Sequence, residues 1–320
     1  MDPTKSKLFG RESVQRDITE GVLADQPGSF SLVGTRWIGK TTLLKHLAGQ
    51  NGPLQSEGYA EWRPDRYADG DDVLVVSIDC NWAEAQQDLL GHLYARVYDE
   101  ARQRARFDLD ETRIEAQTSP ARKVWQIARQ LLEMRCRLVV LMDNFDRAFE
   151  QQLIQLDSAD ELRPLTLEMA LIVATEQPLH DLDRQLAASP LFNVMTQVFI
   201  GLLSADAATQ WLEAYCEQLP ALQEMREELL FLSGTHPYLL RRIGDIIPEI
   251  RQMLTPGQEL RPEHSQIFRL RLAEHGRLLF EMLWRTLEAP PPRVKKDALG
   301  RLLGRLVSGP LTMNDIDRDQ

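Results

Sequence analysis

No run in this 320-residue sequence comes near the ~20 uncharged apolar residues that a membrane-spanning helix needs, so no such helix is expected. The opening Met1-Asp2-Pro3-Thr4-Lys5 lacks the apolar stretch of a secretory leader, and none is expected. Cysteine is scarce. Cys80, Cys136 and Cys216 lie far apart without a CxxC pair, which argues against a disulfide framework or a zinc site. Such cysteines suit buried thiols in a reducing cytoplasm. Positive charge is in deficit: 37 Lys and Arg stand against 48 Asp and Glu, a net charge of −11. A chain this acidic repels phosphate backbones as a whole, which speaks against a nucleic-acid partner but leaves room for a local basic patch. Arg293, Lys295 and Lys296 are the densest such patch, read first as a solvated linker. Internal repeats, low-complexity tracts and a guanine-reading N-K-x-D segment are all missing.

Apolar residues make up 43 % of the sequence, enough for a sizeable core. The length exceeds what one compact core usually takes, so an α/β domain of roughly 200 residues and a smaller helical one are expected. Residues 11 to 24 place Val14, Ile18, Val22 and Leu23 on one helical face. Apolar runs of strand character follow at 30–33, 72–79, 137–143, 168–175 and 196–202. Helical spacing fills 41–48, about 84–106 and about 121–135 between them. Strands alternating with helices predict a parallel sheet covered on both faces. Beyond about residue 203 the pattern is helical. Ser204 reads as an N-cap, Pro220 as a stop, and 222–232 as a second helix ended by Ser233-Gly234. Pro237 then opens a third helix, and 264–287 form a fourth. Pro290-Pro291-Pro292 reads as a stiff linker before an amphipathic stretch at 296–307.

The strongest chemical signal is Gly34-Thr35-Arg36-Trp37-Ile38-Gly39-Lys40-Thr41-Thr42, which fits G-x-x-x-x-G-K-[ST] without a mismatch. Gly34 lets the strand end turn sharply, and Gly39 lets backbone amides approach phosphates with no Cβ in the way. Those amides and the N-terminus of the following helix form an anion nest. Lys40 can reach β- and γ-phosphate oxygens, and the Thr41 hydroxyl can ligate Mg²⁺, which favours octahedral oxygen ligands. A buried strand before the loop and an amphipathic helix after it supply the context this mechanism requires. Trp37 is unusual inside such a loop: it either shields phosphates, packs on a lid, or is a plain surface aromatic.

Leu138-Val139-Val140-Leu141-Met142-Asp143 is an apolar strand that delivers a carboxylate at its C-terminal end, the edge where open α/β sheets bind ligands. Asp143 is therefore the candidate for water-mediated Mg²⁺ binding, with a helix N-cap as the plainer alternative. Many ATPases of this class place glutamate next, to polarise the attacking water. Here the next residue is Asn144, which cannot act as a base. Asp146 and Glu176 are alternative water-orienting groups. Thr175, ending the fourth strand, is a candidate γ-phosphate sensor or a strand-capping hydroxyl.

On these residues the chain resembles the STAND-type ATPases, particularly the novel-STAND and archaeal-ATPase-like groups related to AAA+ proteins. The likeness covers about residues 8 to 290. Leu8-Phe9-Gly10-Arg11-Glu12 is similar to that family's F-x-G-R-x-x-E entry segment, with Val14 in place of glutamate. The resemblance places Gly10 and Arg11 near adenine. Ser233-Gly234-Thr235-His236-Pro237-Tyr238-Leu239-Leu240 is similar to the family's G-G-H-P-Y-L-L segment, with Thr235 for the second glycine. The resemblance places His236 and Pro237 over the nucleotide. Ser189-Pro190-Leu191-Phe192-Asn193 resembles a stretch that often carries an arginine soon after, and none follows here.

The fold class expected is α/β: a P-loop NTPase parallel sheet covered by helices, followed by a smaller all-helical lid domain. The expected bounds are 1–203 for the nucleotide-binding domain, 204–288 for the lid, and 289–320 for a linker and the start of a truncated winged-helix module. The resemblance implies a switch that binds ATP or ADP with Mg²⁺ and engages a protein partner or itself, in signalling or phage defence, and Asn144 in place of the usual acid predicts slow or regulated hydrolysis. A DNA-linked ATPase of origin-recognition or transposition-regulator type is the alternative. A small-molecule kinase is disfavoured, because the helical part lacks clustered arginines apart from Arg241-Arg242.

Overall fold

The computed structural model describes residues 8–67, 72–104, 107–154, 162–182, 194–216, 221–253 and 264–288. The basic patch at 293–296, the proline linker, the 296–307 stretch and the 189–193 segment lie outside these residues.

Five strands form one parallel sheet: β1 (Ser29–Val33), β2 (Val73–Asp79), β3 (Arg137–Asp143), β4 (Ala170–Thr175) and β5 (Met195–Phe199). Their order across the sheet is β2-β3-β4-β1-β5. Every residue of β1, β3 and β4 is buried, the polar Ser29, Ser31, Arg137, Asp143 and Thr175 included, as in a sheet covered on both faces. Edge strand β5 buries only Met195. Side chains alternate across the pleat. From β3, Leu138, Val140 and Met142 enter one core cluster with Val97, Ile127 and Leu131. Val139 and Leu141 enter the opposite cluster with Ile18, Leu43 and Leu47.

The helices on that second face are α1 (Glu12–Val22) and α2 (Lys40–Ala48), and those on the first are α3 (Leu89–Gln103) and α4 (Pro120–Glu133). The helix expected over 84–106 is two helices, Ala83–Gln87 and α3. Asp88 takes an extended backbone between them, and its carboxylate caps α3 by accepting the Gly91 N–H at 2.9 Å. The expected strand 168–175 begins at Ala170, and 196–202 becomes Met195–Phe199. A helix N-cap and a strand start are local geometries that apolar spacing does not encode.

The second half of the chain builds α5 (Ala205–Cys216), α6 (Arg226–Ser233), α7 (Pro237–Met253) and α8 (Ser265–Glu288). Ser204 caps α5 through a 3.1 Å bond from the Ala207 N–H. The expected helix 222–232 is split at Met225 into Ala221–Glu224 and α6. Gly234, at φ +53°, ends α6 in the left-handed conformation. These helices bury a cluster of their own around Trp211, Leu240, Ile243 and Phe268, joined by Phe9 from the start of the chain. No helix among the described residues is long and apolar enough to cross a membrane.

Candidate nucleotide-binding site

Because all five strands are parallel, their C-terminal ends share one edge, and the chemistry-bearing residues collect there. Gly34 follows β1, Asp143 ends β3 and Thr175 ends β4. The Gly34 N–H donates to the Thr175 carbonyl at 3.2 Å, tying the glycine loop to the neighbouring strand. A Cβ at position 34 would meet the Ile200 carbonyl oxygen at 2.6 Å, so only glycine fits that approach. Gly39 sits at φ +105° with nothing within 4 Å of where a Cβ would stand. Its glycine is required by backbone angle, and the space in front of it is open. The Lys40 ammonium donates to the loop's own carbonyls, Gly34 O at 2.6 Å and Thr35 O at 3.0 Å. Burial pushes its pKa below lysine's usual value, while Glu176, Asp146 and Asp143 pull the other way.

A cavity of about 370 Å³ opens over this loop. The loop contributes Arg36, Trp37 and Gly39, and α2 contributes Lys40, Thr41 and Thr42. Strand ends contribute Asn81, Asp143, Asn144 and Glu176, and α7 contributes Pro237, Tyr238 and Arg241. The cavity thus lies between the sheet edge and the helical half. An ammonium, helix-start amides, a hydroxyl and a carboxylate converge on a glycine cradle with open space before it, which fits a nucleotide polyphosphate. Among the described residues no group of three or more His, Cys, Asp or Glu could hold a metal ion by itself. Mg²⁺ would rest on Thr41 and Asp143, completed by phosphate and water oxygens, as suits a cation that keeps much of its hydration.

The other sequence candidates fall at varying depths. Gly34, Thr35 and Ile38 do not line the cavity; Ile38 is buried and Thr35 is exposed. Thr175 is fully buried, and its hydroxyl has no hydrogen-bond partner. Asp146 is 9 % exposed, and its carboxyl is raised above its usual pKa by burial first and by Glu176 next. His236 is 8 % exposed and does not line the cavity. Its Nδ1 accepts the Tyr238 N–H at 3.2 Å, its Nε2 has no partner, and burial lowers its pKa, so it stays neutral at pH 7. Gly10 lies against Ala207 of α5, and the Arg11 guanidinium donates to the Gly201 carbonyl. These contacts hold the entry segment against α5 and the connection that leads into it, and neither residue lines the cavity.

Four residues that the motifs did not single out complete the site. Tyr238 stacks on Trp37 with ring centroids 4.8 Å apart and planes 15° from parallel. Arg36 lies over the Trp37 ring at 5.4 Å, and Arg242 over the Tyr238 ring at 4.9 Å. Trp37 reaches this stack from φ +63°, a conformation that costs an L-residue roughly 1–2 kcal/mol. An aromatic pair returns about 0.5–1.5 kcal/mol, so the stack offsets the strain rather than adding net stability. Arg241 brings a cation from the helical half. Asp79 ends β2 in register with Asp143 and accepts the Asn144 side-chain amide at 2.9 Å. The signal that marked Asp143, a carboxylate closing an apolar strand, is also present at Asp79. Arg241 stands one helical turn from Pro237, a spacing that puts both on one face.

No protein-family model and no curated protein matches this sequence. Solved structures do match in shape. A Walker-type ATPase of Pyrococcus abyssi superposes with a TM-score of 0.56 at 17 % identity, over 90 % of this chain and 78 % of that one. The ORC2 protein of Aeropyrum pernix in its ADP form gives 0.57 at 15 % identity, over 90 % and 76 %. The ORC1 protein of Aeropyrum pernix in complex with DNA gives 0.50 at 14 % identity, over 99 % and 83 %. The fold is an α/β P-loop fold with a helical domain. Identities this low carry the architecture, a parallel sheet with surrounding helices and a helical domain, and leave the chemistry to the residues.

Proposed function

We propose that this chain is an AAA+-related, ATP-binding molecular switch of STAND type with slow or regulated hydrolysis, in which residues 204–288 act as the lid. The observation that carries this reading is one cavity walled on one side by Lys40, Thr41 and Asp143 and on the other by Tyr238 and Arg241. A ligand bridging both walls binds one arrangement of the two halves better than another, and that differential is what drives a switch. Lys40 and the loop amides hold the β- and γ-phosphates. Thr41 and Asp143 hold Mg²⁺, which supplies charge neutralisation at the transferring phosphoryl group. Asp146 and Glu176 are nearby carboxylates, and Asn144 in the usual acid's place accounts for slow turnover. Calorimetric titration of wild type and Lys40→Ala with ATP tests the reading. Binding is expected in the micromolar range or tighter for wild type, and Lys40→Ala should lose at least tenfold. Equal affinity in both would sink it.

The cellular outcome proposed is signalling or defence through self-association or a protein partner, from the STAND resemblance. A DNA-linked ATPase of origin-recognition type is the second reading, favoured by the similarity to ORC1, solved with DNA, over 99 % of this chain. Net charge −11 weighs against it. A gel shift with and without ATP across a salt series separates the two, because phosphate contacts weaken steeply with salt.

A further inference from the structure

Asn144 follows the Asp143 carboxylate, lines the cavity, and stands where a proton-accepting side chain would be expected. It adopts φ +52°, a left-handed backbone that asparagine tolerates better than most residues. Its N–H donates to Asp143 Oδ1 at 3.0 Å, and its side-chain amide is bonded to Asp79 Oδ1 at 2.9 Å. A carboxylate has only acceptors, so the Asn144 atom facing Asp79 must be Nδ2. That fixes which end of the carboxamide remains free. Asp79 Oδ1 also accepts the Asn81 N–H at 2.9 Å, which holds the carboxylate in place. The pairing follows from the sheet, since Asp79 and Asp143 are partners in the β2–β3 register.

We propose that Asn144 orients the attacking water through its Oδ1 and that Asp79 is the positioning residue that holds the amide in that sense. The negative charge on Asp79 polarises the amide it accepts from, which makes Oδ1 a stronger acceptor for a water O–H. The water oxygen forms a bond to the γ-phosphorus as the bond from that phosphorus to the β,γ-bridging oxygen breaks. ADP leaves with the bridging oxygen and its electron pair. The water proton ends on the released phosphate, since an amide orients water without taking its proton. The pair therefore supports turnover at a low rate, with a carboxylate and an amide in places where exchanging them would supply a base.

This inference rests on the ATPase reading, and the test keeps the two apart by measuring ADP affinity and turnover separately. Asp79→Asn keeps an acceptor oxygen but removes the charge that fixes and polarises the Asn144 amide, and Asn144→Asp sets two carboxylates against each other. Each single variant is expected to lose at least tenfold in kcat with ADP affinity within twofold of wild type. Asn144→Gly keeps the left-handed backbone and removes the amide, and should lose turnover without loss of folding. The exchanged pair Asp79→Asn with Asn144→Asp restores the hydrogen bond and puts a carboxylate in the slot, and should exceed wild-type kcat. Binding of ADP with aluminium fluoride, a mimic of the phosphoryl group in flight, should weaken in Asp79→Asn while ADP alone does not. Turnover unchanged in Asp79→Asn, or an exchanged pair no faster than the single variants, overturns the proposal while leaving nucleotide binding intact. Loss of ADP binding by wild type would instead defeat the ATPase reading.

Discussion

At positions 34 and 39 two glycines do different work. A methyl at 34 drives into the Ile200 carbonyl at 2.6 Å, backbone that cannot swing aside. Gly34→Ala is expected to cost about 1–3 kcal/mol in thermal unfolding, the range of a forced overpack. Gly39→Ala meets no atom within 4 Å and bears only the backbone penalty, about 1–2 kcal/mol. It should fold with the smaller loss of stability, and equal or reversed losses would contradict the geometry. Asp146 offers a pH test. Burial and Glu176 raise its folded pKa above the unfolded value, so the folded state binds more proton as pH rises through the carboxylate range. Stability from this site therefore falls across that rise. Asp146→Asn should raise the melting temperature at pH 7 and gain less at pH 3, where both side chains are neutral. A gain independent of pH would show that ionisation is not the cause.

At the scale of elements, the glycine loop and α7 meet through the stacked rings of Trp37 and Tyr238, with Arg36 against the first and Arg242 against the second. Asp245 anchors the Arg242 guanidinium at 2.8 Å, and the Tyr238 hydroxyl donates to the His275 carbonyl of α8 at 3.0 Å. The stack thus connects the phosphate loop to two helices of the far half. Tyr238→Ala should free Trp37 to water, shifting tryptophan emission to the red, and should speed nucleotide dissociation in stopped-flow measurement by several-fold. Unchanged dissociation would mean the stack is surface packing alone. This contact was not legible in the sequence. Packing on a lid was one of the readings open for Trp37, but no spacing rule relates position 37 to position 238.

For the molecule as a whole, a ligand gripped by both halves should couple them. Nucleotide at a hundred times its Kd stabilises by about 2.7 kcal/mol, so the melting temperature should rise by several degrees with ATP and Mg²⁺. Arg241→Ala should weaken ATP about tenfold or more, the loss of one charge-assisted hydrogen bond, and weaken ADP less. Equal loss for both nucleotides would place Arg241 away from the γ-phosphate. The packing of Phe9 in the helical cluster and of Gly10 against Ala207 closes the chain's start onto its second half. That arrangement makes the entry segment a bridge between the halves rather than a part of the sheet domain alone.

Local order along the chain determined the strands, the helices near them and the glycine loop. Backbone angle, apolar period and a strand-ending carboxylate are written within a few residues, and Gly39, Lys40 and Asp143 were legible for that reason. Tertiary structure alone decided which strand ends are neighbours. Sheet order put Asp79 beside Asp143 and Thr175 beside Gly34, and folding of the helical half brought Tyr238 and Arg241 across some two hundred residues to the loop. Those meetings depend on how the sheet's register and the helix packing resolve together. No stretch of sequence short enough to show a period contains both partners.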